Sequence, residues 1–239
     1  MALSIDHIVI HVQDLQSATQ NYQNAGFTVN YGGQHGDGIT ENALIIFGDG
    51  TYIELIAVVE GKNQDDAGFK QLLKESGEGY TGFALQSTDI EADLASMRER
   101  GVDVGDIIRG ERLRADGEKL EWKMAKLDNA MSPFVIEDIS ERDLRVPLTT
   151  ENVTHANGAT GIHELLIHVS GFQDAIDQYG SIVGAPLIFL GVARYQIGSS
   201  AMVLMETEDA DSSPQLLSLY TDETDPKRVT LHGADFMFI

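Results

Sequence analysis

Residues 5–12, IDHIVIHV, are β-branched and apolar and predict a strand. Asp14 follows as a helix N-cap. Leu15, Ala18, Tyr22 and Ala25 then recur at helical spacing, with Gly26 as the C-cap. Phe27–Asn30 predicts a short strand. The stretch 32–38, GGQHGDG, is too rich in glycine for a strand and is read as a loop. Two further strands, 41–47 and 51–58, flank the turn GDG. The order is strand, helix, strand, loop, strand, turn, strand.

That order returns. Residues 79–87 predict a strand, Asp89 a cap, and Ile90, Leu94, Met97 and Gly101 a helix with its end. VGDIIRGER, LEWKMAKL and PFVIEDI (133–139) complete a second unit, offset by 75 when Asp14 is set on Asp89. A third copy starts at Ile162, where 168–187 parallels 11–27. A fourth, shortened copy runs from 216–222 to 232–239 with little room for a helix. The polar, glycine-bearing stretch 147–161 reads as a linker. A single strand–helix unit covers one sheet face and leaves the other open, so units must pair into a curved sheet with helices outside. The expected fold class is α+β. Two tandem domains, residues 1–145 and a truncated 162–239, are joined by 146–161.

Composition narrows the function. The chain has 239 residues and a formal net charge of −22, which disfavours nucleic acid and anionic membrane surfaces as partners. It has no cysteine, so thiolate chemistry and Cys-ligated metals are excluded. No apolar run approaches a membrane span, and MALSIDHIVIHV lacks the features of a signal peptide; a cytoplasmic location is expected.

Four stretches together resemble the vicinal oxygen chelate superfamily, the glyoxalase, bleomycin-resistance and extradiol-dioxygenase fold, and within it the glyoxalase-like proteins. They are 6–27, 32–58, 121–127 and 133–138. The resemblance covers residues 5–140 and, in outline, 160–239. It implies βαβββ modules paired into cupped mixed sheets.

Strand alternation points His7, Val9 and His11 into the cup, with Tyr52, Glu54 and Ile56. The offset of 75 places Gly82, Ala84 and Gln86 inward, and matching TYIEL with FVIED sets Glu137 in the place of Glu54. The resemblance implies a divalent metal at His7, Glu54, Gly82 and Glu137. Gly82 offers no ligand, leaving His7, Glu54 and Glu137 for Zn, Mn, Ni, Fe or Mg.

Catalytic groups are expected among Glu54, Glu137 and His35, the last as a general acid or base on a glycine loop that closes over the cup, or as the missing ligand. Thr40, Asn42, His11 and Trp122 are candidate ligand-binding residues. His163, Glu164 and Glu206 form a weaker polar set in the second half. The functions implied are a metal-dependent lyase or isomerase on a small oxygenated compound, a metal-free protein that sequesters a small molecule, or a dioxygenase. An acidic cup would suit a cationic ligand. A small molecule is the expected partner, and a homodimer the expected assembly.

Overall fold

A computed structural model describes residues 3–36, 38–62, 77–114, 116–127, 133–207, 214–222 and 226–239. The first module holds β1 (Ser4–His11), α1 (Leu15–Asn24), β2 (Asn30–His35), β3 (Thr40–Ile46) and β4 (Tyr52–Val58). The second holds β5 (Gly79–Gln86), α2 (Ile90–Glu99), β6 (Ile108–Leu113), β7 (Lys119–Lys126) and β8 (Phe134–Asp138). Short helices α3 (Arg142–Arg145) and α4 (Thr150–Val153) lead to the third module, β9 (Ala159–Val169), α5 (Phe172–Val183), β10 (Leu187–Phe189), β11 (Val192–Ile197) and β12 (Ser200–Glu206). The fourth is β13 (Pro214–Thr221), β14 (Lys227–Leu231) and β15 (Ala234–Phe238), without a helix.

The eight strands of the first two modules close into a barrel in the order β1-β4-β3-β2-β6-β7-β8-β5. Closure comes from β1 against β5 and from β2 against β6. The other strands form an open sheet, β10-β11-β12-β9-β13-β15-β14. It stays open because only five residues separate β13 from β14, too few for the helix and the strand that would correspond to α2 and β6. The expected paired modules with a truncated second sheet are therefore present.

The caps fall where the sequence puts them. Asp14 Oδ1 accepts from Ser17 N at 2.6 Å and Asp89 Oδ1 from Ala92 N at 3.1 Å. Ile8, Ile10, Ile53, Leu55, Phe83 and Leu85 leave the barrel outward and join Ile162, Leu165, Leu217 and Phe236 of the open sheet in one apolar cluster. The stretch expected as a linker is packed. His155 is buried, accepts from Thr28 N at 2.9 Å through Nδ1 and donates through Nε2 to Ile46 O at 3.0 Å, and β9 begins inside that stretch, at Ala159. No described helix is long and apolar enough to cross a membrane.

One element differs from expectation. Part of the glycine stretch read as a loop, 32–35, lies in strand β2, and of the short strand expected at Phe27–Asn30 only Asn30 is in a strand, as the first residue of β2; Phe27 fills the core instead. The glycines serve clearance, not a loop. A Cβ on Gly32 would lie 2.1 Å from Arg112 Nη1, and one on Gly33, at φ +124°, would lie 2.4 Å from Leu113 O. Asp37, within the same stretch, lies outside the described residues.

Candidate active site

Parallel pairing of β1 with β4 sets Val9 opposite Glu54 and His7 opposite Tyr52. The outward residues between them are committed to the core, so His7 and Glu54 turn into the barrel together. His7 Nε2 is 3.5 Å from Glu54 Oε2. From β3, Asn42 Nδ2 donates to Glu54 Oε1 at 2.5 Å. From β2, His35 Nε2 lies 3.6 Å from the same Oε1, while its Nδ1 is 2.8 Å from Thr40 Oγ1. The Trp122 ring meets the His35 ring edge-on, with centroids 6.1 Å apart. Five expected residues, His7, Glu54, His35, Asn42 and Thr40, thus meet inside the barrel, and Trp122 walls it.

Behind His7 lies a group that strict alternation hides. A register shift between Ile5 and His7 turns two successive side chains, Asp6 and His7, away from water. His7 Nδ1 is 2.6 Å from Asp6 Oδ1. Arg145 grips Asp6 with both terminal nitrogens, at 2.8 and 2.9 Å, binds Asp138 through Nε at 2.5 Å, and donates to Tyr52 Oη at 2.6 Å. Arg142 donates to Asp6 Oδ2 at 2.7 Å. The Tyr52 ring stacks on His7, centroids 4.5 Å apart. Sequence reasoning missed Asp6, Arg142 and Arg145. The available signal was a carboxylate inside an apolar strand, which must be paired to be buried.

On the far side, Arg112 of β6 donates from Nη1 to Asn42 Oδ1 at 2.8 Å. It too was missed. A cleft of about 460 Å³ at β2 and β6 is lined by His35 and Arg112 together with the exposed Tyr31 and Leu113.

Charge follows geometry. Burial opposes ionisation of His7, but hydrogen bonds and charges from Asp6 and Glu54 outweigh it and raise its pKa. Burial likewise opposes ionisation of Glu54, yet His7, His35 and Asn42 bring its pKa down to about 2. Asp6, although fully buried, is held well below the usual carboxylate range by Arg145 and His7. The cup is not the acidic surface expected for a cationic ligand. Its carboxylates are neutralised from within, and Arg112 is a cup cation with no ion pair to a described carboxylate.

Glu137 does not join the site. Parallel pairing sets Ala84, the repeat counterpart of Val9, opposite Phe134, so Phe134 holds the place of Glu54. The expected alignment was off by three residues, an odd number, which turns a side chain to the other sheet face. Glu137 Oε2 accepts from Ile90 N at 2.7 Å, at the start of α2, and Oε1 from Lys123 Nζ at 3.1 Å. Phe134 instead meets His7 edge-on at 5.4 Å. His11 is buried at the end of β1, where the carboxylate acting on it is Glu78 and burial lowers its pKa. In the open sheet, Glu164 pairs with Arg194 at 2.6 Å, Glu206 sits near Phe172 N at 3.5 Å, and His163 meets Tyr220. These three do not converge on a common ligand.

The donor set does not fit the metal that the resemblance implies. Of the four positions, the second module supplies Gly82 and Phe134, which offer no donor. His7 turns Nδ1 to Asp6 Oδ1 at 2.6 Å and Nε2 toward Glu54 Oε2 at 3.5 Å. Among the described residues no group of three or more His, Cys, Asp or Glu side chains could hold a metal ion.

Residues 5–183 match a family model described as a glyoxalase-like domain. Over 99% of both chains, the fold is similar to a hypothetical protein from Staphylococcus aureus, at a TM-score of 0.84 and 17% identity. A mutant 4-hydroxymandelate synthase from Streptomyces coelicolor aligns at a TM-score of 0.61 and 11% identity, over 93% of this chain and 72% of that one. A fusion of a xylose isomerase-like TIM barrel with 4-hydroxyphenylpyruvate dioxygenase aligns at 0.58 and 15%, over 94% and 37%. No curated protein matches the chain in sequence.

Proposed function

For this chain, which belongs to the glyoxalase-like domain family, we propose an acid–base enzyme of the lyase or isomerase kind that moves a proton on a small oxygenated compound within the N-terminal barrel. The observation that carries this reading is the convergence of His35 and His7 on Glu54, at 3.6 and 3.5 Å, beside a cleft lined by His35.

The roles follow from the partners. Glu54, with a pKa of about 2, is too weak a base to take a proton from carbon. It serves as the fixed anion that stabilises an imidazolium. His35 is the member exposed to the cleft, and its Nε2 contacts are long, 3.6 Å to Glu54 and 3.5 Å to Asn42. His35 takes a proton from the carbon next to a carbonyl. The electron pair moves onto the carbonyl oxygen, where the Asn42 amide and the Arg112 guanidinium are the nearby donors. The proton then returns from His35 to the neighbouring carbon, which completes an isomerisation; expulsion of a leaving group instead gives a lyase. Thr40 orients the ring through Nδ1.

The name of one neighbour, the 4-hydroxyphenylpyruvate dioxygenase fusion, raises dioxygenase chemistry. That chemistry needs two imidazoles and a carboxylate on one iron; His7, His35 and Glu54 supply those residue types, but among the described residues no such group is arranged to hold a metal ion. The sequestration reading differs in outcome: ligand bound and released unchanged.

The test is deuterium uptake from heavy water into a panel of 2-oxo acids, 2-hydroxy acids and neutral hydroxyketones, followed by NMR. Protein-dependent exchange is expected, reduced ~10²–10⁴-fold in His35→Ala. Exchange equally fast in His35→Ala would sink the assignment. Tight binding of a panel member without any exchange would favour sequestration.

A further inference from the structure

Two buried arginines flank the site, and they are satisfied very differently. Arg145 engages Asp6, Asp138 and Tyr52 through Nε, Nη1 and Nη2. Arg112 is equally hidden, at 4% exposure, but its described hydrogen bond is the one from Nη1 to Asn42 Oδ1. Its Nε is buried without a partner, and no described carboxylate pairs with it. A guanidinium removed from water with donors unfilled works against folding. The chain nevertheless makes room for it, through Gly32 on the facing strand.

Two of the donors without a described partner, on Nε and Nη2, lie side by side as a planar pair that matches the two oxygens of a carboxylate. Arg112 also lines the cleft, and its backbone partner across β2 and β6 is His35.

We infer that Arg112 is the receptor for a carboxylate on the ligand, so that the compound handled in this barrel is a small carboxylic acid. The inference rests on the acid–base reading only for the ligand's place in the barrel. Once anchored on Arg112, the acid presents its adjacent carbon toward His35. Asn42 couples the two ends, since it touches both Arg112 and Glu54.

The experiment is thermal shift and calorimetric titration of the full chain with acetate, lactate, malonate, lactamide and inorganic phosphate. It compares wild type, Arg112→Met, Arg112→Lys and Arg109→Met, the last changing an exposed arginine on the same strand. Saturable binding of the carboxylates, but not of lactamide, is expected in wild type and Arg109→Met. Affinity should fall at least ~10-fold in Arg112→Met and less in Arg112→Lys, which keeps the charge but loses the fork. Because Arg112→Met also removes the hydrogen bond to Asn42, each variant's ligand response is read against its own ligand-free melting temperature. A carboxylate response that survives in Arg112→Met overturns the inference, as does no saturable response in wild type. Phosphate binding more tightly than every carboxylate overturns the ligand class. The two readings fail separately. Arg112-dependent binding without deuterium exchange defeats only the proton transfer, and exchange on neutral ketones without Arg112-dependent binding defeats only the anion receptor.

Discussion

Asn42 donates to Glu54 Oε1 at 2.5 Å, and its other amide atom accepts from Arg112, so one neutral side chain separates a buried anion from a buried cation. Direct contact would make an inert ion pair. The inserted amide keeps Glu54 available to the two histidines and leaves an edge of Arg112 open. Asn42→Ala removes the hydrogen bonds to both charges at once. A stability loss of about 2–3 kcal/mol is expected, since hydrogen bonds to charged groups contribute ~1.5–3 kcal/mol each and the freed groups can draw partly together. Urea unfolding measures it, and a loss below about 0.5 kcal/mol would show that Asn42 bridges nothing of consequence.

Stability should depend on pH through His7 and Glu54. His7 has a raised folded pKa, so its contribution is fully present below its unfolded value of 6.5 and is lost as pH rises through the folded one. Glu54 is depressed from 4.5 to about 2, so its contribution is present above 4.5 and is lost as pH falls toward 2. His11 and His155, lowered by burial, act in the opposite sense to His7. The clean readout is therefore a difference between variants. The melting advantage of wild type over His7→Gln should shrink as pH rises above ~6.5. That over Glu54→Gln should shrink below ~4.5. An advantage that is flat across both ranges would contradict the charge assignment.

Much of this architecture was legible because the repeats are legible. Asp14 and Asp89 announce two helices, and alternation in IDHIVIHV and TYIELIAV correctly turns His7 and Glu54 inward. Alternation fails where the backbone departs from it. The bulge that buries Asp6 beside His7 leaves no signature other than an acid in an apolar strand. Glycine counting failed at 32–35 because it assumes that glycine marks flexibility, whereas Gly32 and Gly33 make room for β6 and Arg112. Aligning short strands by their own letters placed Glu137 on Glu54; only the register with β5 shows that Phe134 belongs there. The pairings of Arg112 with Asn42 and of Arg145 with Asp6 could not be assigned from spacing, since they span 70 and 139 residues.

Arg145 should prove among the least replaceable residues of the barrel. It satisfies Asp6, Asp138 and Tyr52 together, and its removal leaves Asp6 buried against Arg142 alone among the guanidiniums. Breaking a buried ion pair from one side costs ~3–5 kcal/mol. Arg145→Ala is expected to lower stability by about that much and, by loosening Asp6, to change the ring NMR titration of His7. A melting temperature within a degree or two of wild type would show that the network is ornamental.

Glu137 provides the sharpest contrast between a metal role and a structural one. Its Oε2 accepts from Ile90 N at the start of α2, as Glu206 Oε1 approaches Phe172 N at the start of α5. Each helix thus receives a carboxylate where its free N–H groups and positive dipole end favour one. Glu137→Ala should cost about 1 kcal/mol, the usual worth of a helix cap, with Glu137→Gln losing less because its amide oxygen still accepts. Proton exchange and carboxylate binding should be unchanged in both. Zinc, manganese, nickel, iron(II) or magnesium added to wild type should neither be retained stoichiometrically nor raise the melting temperature. A metal-dependent rise in wild type that disappears in Glu137→Ala would restore Glu137 to a metal site and would require β8 to sit in a different register from the one that pairs Ala84 with Phe134.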